Sequence, residues 1–312
     1  MGTGPFAVPS FEALRADGYE IAMVVTKPQP PVKSRRGPPP APVRTWAEEH
    51  QLPIYDPLSI NDDEAVAQLC DLQADLLIVC DYGQILKPPA LESAKLGGIN
   101  LHGSLLPAYR GAAPVQWALL NGDEVTGVSV IHMTPRLDGG PIVITRETAI
   151  RDDETAGELE ERLSEIGVDA TLESVAMLSR WDGTSTIGEM QDASKVTKAP
   201  RLKKSDGEID WGRTAREIDC HVRGMQPWPI AFTLFPVDGK PPMRLAIKKI
   251  EILDEPSDGR SSGEMVVSDG LLVATADRMI KIKRLQPAGK KEMSSVDFLR
   301  GNQPAAGTRL FS

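Results

Sequence analysis

The chain of 312 residues holds only three cysteines, four histidines and 5% aromatic side chains. Each scarcity excludes something. Cys70, Cys80 and Cys220 show no CxxC spacing, and His50, His102, His132 and His221 are scattered without the spacing of metal ligands. Neither a disulfide nor a metal site is therefore expected. No run approaches the roughly 18 consecutive apolar residues of a membrane span. The opening "MGTGPFAVPSF" also lacks the basic-then-apolar pattern of a signal peptide. The expectation is a cytoplasmic protein with no membrane partner. With 41% hydrophobic and 25% charged residues, its length suffices for one large domain or two ordinary ones.

Acidic residues are missing locally. From Ile21 to Ala47 there is no Asp or Glu, whereas Lys27, Lys33, Arg35, Arg36 and Arg44 fall in the same stretch. The overall charge of -9 is unevenly spread: residues 201–312 carry 19 Lys/Arg against 15 Asp/Glu, a net of +4, which leaves -13 for residues 1–200. Two local basic surfaces follow, one on a loop and one on a C-terminal domain, each suited to phosphate. A solvated face is the plain alternative. The stretch "KPQPPVKSRRGPPPAPVR" (27–44) is Pro-rich and so extended rather than helical, either a surface loop or a semi-rigid arm presenting cations.

Through the first part, strand-length apolar runs alternate with helix-like patterns, the signature of a mostly parallel α/β sheet. The strand candidates are "EIAMVVT" (20–26), "ADLLIVCDY" (74–82), "GGINLHG" (97–103), "GVSVIHM" (127–133) and "PIVITRETAI" (141–150). A longer helix begins near Asp153: Thr155 and Glu158 fit a capping box, and Leu159, Leu163, Ile166 and Ala170 share one face. We place an α/β domain at 1–181, a linker at 182–204 where both periods break, and a second domain at 205–312. After one helix near 213–225, the alternating stretches of that second domain predict a small antiparallel barrel.

In a parallel sheet, ligands bind beyond the carboxyl ends of the strands. Asn100 and His102 stand at such an end, two residues apart and hence on one side of the strand. After the next strand comes "TPRLDGGP", where Asp138 precedes two glycines that let the backbone turn closely. Asn, His and Asp from neighbouring parallel strands would then converge. Each also has a dull explanation, the His bonded to a nearby carbonyl and the Asp forming a turn.

"NLHGSLLPAYRGAAP" (100–114) followed by "LDGG" (137–140) resembles the folate-dependent formyltransferases, and most nearly the branch that acts on methionyl-tRNA. Supporting segments cover nearly the whole chain: "GTGPFAVPSFEAL" (2–14), "DYGQIL" (81–86), "KSDGEIDW" (204–211), "PWPIAFT" (227–233) and "LQPAGKKEM" (285–293). The resemblance implies a Rossmann-like catalytic domain followed by a C-terminal barrel related to the OB-fold. It implies catalytic roles for Asn100, His102 and Asp138, and contacts to 10-formyltetrahydrofolate from Ser104, Leu105, Leu106, Pro107, Tyr82 and Gly83.

The acceptor implied is initiator methionyl-tRNA, bound by a monomer through Lys33, Arg35, Arg36, Arg44, Lys203, Lys204, Lys290 and Lys291. An amino-sugar nucleotide is the rival acceptor, and a folded tRNA-binding relative without activity is a rival of another class. Two departures stand out. Relatives carry several apolar residues of a first strand ahead of "GTG", so that strand is expected to be missing here, through a start placed late or a real loss. Asp81 also stands where a small residue is usual before Tyr-Gly.

Overall fold

The computed structural model describes residues 1–29 and 41–311, so Lys33, Arg35 and Arg36 lie outside the described residues. The chain divides into two compact units, one formed by Met1–Pro114, Val125–Ala149 and Leu159–Pro200, the other by Val115–Glu124, Ile150–Glu158 and Arg201–Ser312.

The first unit runs α1 (Val8–Ala16), β1 (Val24–Val25), α2 (Pro42–Glu49), β2 (Ile54–Tyr55), α3 (Asp63–Asp71), β3 (Leu77–Val79), α4 (Pro88–Leu91) and β4 (Gly98–His102). Proline stands in the first turn of α1, α2 and α4, where its missing N–H costs nothing because the first amides of a helix have no internal partner. After β4 come β5 (Arg110–Gly111), β6 (Val125–His132), β7 (Ile142–Ala149), α6 (Ala156–Leu178) and β8 (Lys198–Ala199), while α5 (Pro114–Leu120), which follows β5 in the chain, belongs from Val115 on to the second unit. β1 pairs with β2 in parallel, as β3 does with β4.

Between these two pieces stand Met1 and Gly2. The Gly2 amide donates to the Val25 carbonyl at 2.9 Å, and the Cys80 amide to the Met1 carbonyl at 3.0 Å. Beside this bridge lies a cavity of about 630 Å³, walled in part by Phe11, Leu14, Trp46, Leu69 and Leu178.

One detail is corrected. β6 runs antiparallel to β4, with Asn100 opposite Ile131 and His102 opposite Ser129, and β7 is antiparallel to β6. Asp138 therefore reaches the site from the loop joining β6 to β7 rather than from the end of a parallel strand. Apolar alternation marks "GVSVIHM" as a strand but carries no information on its direction, which depends on where the preceding segment delivers the chain.

α6 fixes the other face of β4. Its start is capped reciprocally: the Thr155 amide donates to Glu158 Oε2 at 2.9 Å, and the Glu158 amide to Thr155 Oγ1 at 3.4 Å. Leu159, Leu163 and Ala170 are fully buried. A Cβ at Gly167 would lie 2.6 Å from Leu101 Cδ2, so the bare backbone there lets the helix close onto the strand. Ile99 and Leu101 are thereby buried as core, and Asn100 and His102 point the opposite way.

The second unit holds α7 (Ala215–Gly224), β9 (Phe232–Val237), β10 (Lys240–Pro256), β11 (Met265–Val267), β12 (Leu271–Ala274), β13 (Arg278–Pro287), β14 (Met293–Ser294) and α8 (Ser295–Leu299). Its antiparallel sheet has the order β11-β12-β13-β10-β9, with β14 beside β13. The C-terminal residues join its two edges: Met265 donates to the Thr308 carbonyl at 2.9 Å, and Leu234 and Phe311 exchange bonds of 3.1 and 3.0 Å. The 17-residue β10 bends at register shifts near Lys249 and Pro256, the device by which a long strand curls. The barrel expectation is met.

On α7, burial holds the His221 imidazole below its usual pKa, and Nε2 has no partner among the described residues. A base whose folded pKa is depressed binds fewer protons folded than unfolded, so stability falls as pH drops below about 6.5. Denaturant unfolding at pH 7.5 and 5.5 should show this loss, and His221→Asn should flatten the dependence.

Candidate active site

β4 ends in the pair that opens the site. His102 is buried and its Nε2 lies 2.9 Å from the Tyr109 carbonyl. A carbonyl only accepts, so Nε2 carries the proton and Nδ1 is left facing Asp138. The separation from Nδ1 to Asp138 Oδ2 is 3.9 Å, within reach of an ion pair but beyond a hydrogen bond. The ring is thus oriented by Tyr109. Asp138 is held separately, by the Gly111 amide donating to its Oδ2 at 2.9 Å. Both dull explanations apply as well: His102 bonds to a carbonyl, and Asp138 turns the chain at φ 47°. Neither removes the approach of Asp138 to His102.

Tyr109 has φ 62°, uncommon for a side chain of its size, and its neighbours hold it there. Its amide donates to Thr197 Oγ1 at 2.8 Å, and the next amide, of Arg110, donates to the Thr197 carbonyl at 2.9 Å. β5 then pairs in parallel with β8, so the segment expected as a linker lies along the site loop up to Ala199. Gly111 has φ 134°, and a Cβ on it would come 2.4 Å from the Ala199 carbonyl oxygen.

The loop expected to meet folate is anchored at both ends. Ser104 is fully buried, and its hydroxyl donates to the Ala108 carbonyl at 2.7 Å. Ser129 of β6, opposite His102, accepts from the Leu106 amide at 3.0 Å and donates to the Ser104 carbonyl at 2.8 Å. Leu106 is buried, whereas Leu105 and Pro107 are half-buried and leave apolar edges. Ser129 escaped sequence reasoning. The signal was a lone hydroxyl in the middle of an apolar strand.

Tyr82 is placed less simply. Its ring belongs to the core cluster around Leu77, Val79 and Leu86, and its hydroxyl has no partner among the described residues. Burial raises that hydroxyl to about 12. Gly83 has φ 72°, and a Cβ there would lie 2.3 Å from Lys27 Nζ. Asp81 Oδ2 occupies the space above Gly4, 1.8 Å from where a Cβ would stand.

Among the described basic candidates, Lys203, Lys204, Lys290 and Lys291 are exposed. Arg44 pairs with Asp56 and is largely covered. Several cations of the barrel unit are also paired: Lys281 with Asp269, Lys283 with Glu251, and Arg284 with Glu292. Among the described residues, no group of three His, Cys, Asp or Glu is placed to hold a metal ion, and no helix is long and apolar enough to cross a membrane.

The imidazole of His102 and the carboxylate of Asp138 stand together near the end of β4, and likeness to known proteins decides the family. Residues 1–175 match the formyl transferase family, and residues 201–303 match its C-terminal domain. The chain belongs to the formyl transferase family. It is 62% identical to the methionyl-tRNA formyltransferase of Rhodopirellula baltica, covering 100% of this chain and 96% of that protein. Identity to the methionyl-tRNA formyltransferase of Desulfotalea psychrophila is 40%, covering 99% and 94%.

Among solved structures, the sugar 3N-formyl transferase WlaRD superposes with TM-score 0.64 at 17% identity, covering 93% of this chain and 97% of that one. An N-formyltransferase from Helicobacter canadensis gives 0.61 at 16%, covering 90% and 97%. These two likenesses establish a shared fold.

The glycine after Gly139 is a sharp constraint, since a Cβ on Gly140 would fall 1.8 Å from the His132 carbonyl oxygen. Gly140→Ala should destabilise the fold by about 1–3 kcal/mol, the usual range for overpacking, as read by denaturant unfolding.

Proposed function

We propose that the chain transfers the formyl group of 10-formyltetrahydrofolate to the α-amino group of initiator methionyl-tRNA, in the cytoplasm and as a monomer. The observation that carries the acceptor is 62% identity, across the whole chain, to a methionyl-tRNA formyltransferase. The site supplies the chemistry such a transfer needs. The half-exposed edges of Leu105 and Pro107, in the loop that follows His102, suit a flat, largely apolar co-substrate that brings an activated formyl group.

Asn100 offers its carboxamide N–H to the oxygen that gains charge as the amine attacks, and removing one such donor typically costs about 2.7–4 kcal/mol of barrier. His102 moves the proton. An α-amino group with a pKa near about 7.7–8.0 is partly neutral at cellular pH, but after attack its nitrogen becomes acidic and must lose a proton. The unprotonated Nδ1 of His102 accepts it, Asp138 at 3.9 Å stabilises the imidazolium that results, and the same proton passes to N10 of the folate as the bond from the formyl carbon to N10 breaks and tetrahydrofolate leaves. Such proton transfer contributes about 10²–10⁴-fold.

Asp138→Asn should leave formyl-folate affinity intact and lower the single-turnover rate by orders of magnitude. For the acceptor, radiolabelled formyl-folate is offered in parallel to methionyl-initiator tRNA, an amino-sugar nucleotide and water. Label should enter the tRNA; transfer to the sugar alone overturns the assignment. If Lys203, Lys204, Lys290 and Lys291 meet phosphates, KM for the tRNA rises steeply with salt while KM for formyl-folate barely moves.

A further inference from the structure

We propose that Gln191 is a positioning residue of the transfer reaction, setting the place of Asp138 relative to His102; this rests on the function proposed above. Gln191 belongs to none of the motifs that carry the family resemblance. It is half-buried, between α6 and β8, within the stretch 182–204 that the sequence marks as a linker. Its carboxamide spans two loops. Oε1 accepts from Arg110 Nε at 3.1 Å and from Arg110 Nη2 at 2.6 Å. Nε2 donates to the Asp138 carbonyl at 2.8 Å and to the Gly140 carbonyl at 2.7 Å. Two donors and two lone pairs are all used, in opposite directions, which only an amide of this length supplies.

The bonds fall on the two arms of the site. Arg110 and Gly111 form β5, directly after Tyr109, whose carbonyl holds the His102 ring. Asp138 and Gly140 flank the turn that carries the carboxylate. The Gly111 amide also crosses between these arms, donating to Asp138 Oδ2 at 2.9 Å. That bond constrains the carboxylate; Gln191 constrains the main chain behind it.

Gln191 is itself held in place. Upstream, Glu189 and Ile142 exchange two main-chain bonds of 2.8 Å. Downstream, Asp192 accepts from the Ser194 amide at 2.9 Å, and β8 pairs with β5. The segment is thus fixed at both sides, and Gln191 acts as a strut between loops that the sheet alone does not connect. Asp138 needs such a strut. It sits at φ 47° in a loop, 3.9 Å from its partner, where about 1 Å of drift decides whether it faces the imidazolium.

A glutamate at 191 preserves size and the Arg110 pair but sets a carboxylate against two carbonyl oxygens, so it breaks only the arm to Asp138. Both Gln191→Glu and Gln191→Ala are made in the full chain, with Gln191→Glu serving should the alanine variant fold poorly. Single-turnover formylation of methionyl-tRNA should slow by about 10- to 100-fold, while KM for tRNA and for formyl-folate stays within about twofold of wild type. In an Asp138→Asn background the same substitutions should slow the reaction no further, because the group they position is already gone. Wild-type rates in either variant, a loss confined to KM, or a full additional loss in the Asp138→Asn background would overturn the proposal. Absence of transfer by the wild-type chain would instead contradict the function on which it rests.

Discussion

One main-chain amide organises the site. Gly111 donates to Asp138 Oδ2 and so stations a carboxylate 3.9 Å from an imidazole that is oriented from elsewhere, by the Tyr109 carbonyl. Because the ring and the carboxylate have separate anchors, neither proton position nor ring angle depends on a direct bond between them. The carboxylate is left free to respond to charge rather than to hold a tautomer. Buried charge without compensation is costly, so the proton relay proposed for His102 needs a neighbour of this kind.

The rest of the first unit serves that geometry. α6 closes on β4 at Gly167 and forces Leu101 inward, which sends Asn100 and His102 to the opposite face. Ser129 pins the loop after His102 to β6, while Thr197 and β8 hold Tyr109 and Gly111 in backbone conformations that few side chains accept. Local strain of this kind, of order 1–3 kcal/mol at Tyr109, persists only when surrounding bonds over-determine it, whereas Gly111 takes its φ without that cost.

Much of this was legible in the sequence, for physical reasons. The polar pair at Asn100 and His102 was readable because a strand alternates faces, the capping of α6 because Thr155 and Glu158 sit three apart, and the barrel because short alternating runs follow one another. Strand direction was not readable: β6 has the same composition whether it runs with β4 or against it. The role of the segment around Gln191 was hidden for another reason. A Gly- and Ser-rich stretch without periodicity looks like a linker, yet its bonds to the site are made by main chain and by single side chains, and these leave no period. Tyr82 shows the converse, a residue whose motif suggested a ligand contact but whose ring is committed to the core.

The central claim is that His102 and Asp138 act as one unit in moving a proton during formyl transfer. It is tested most directly by a double-mutant cycle on the single-turnover rate, using His102→Ala, Asp138→Asn and both together. Residues that work as a unit are strongly non-additive, so the double variant should be scarcely slower than His102→Ala alone. Losses that multiply across the two sites would show that the residues act independently and would contradict the account.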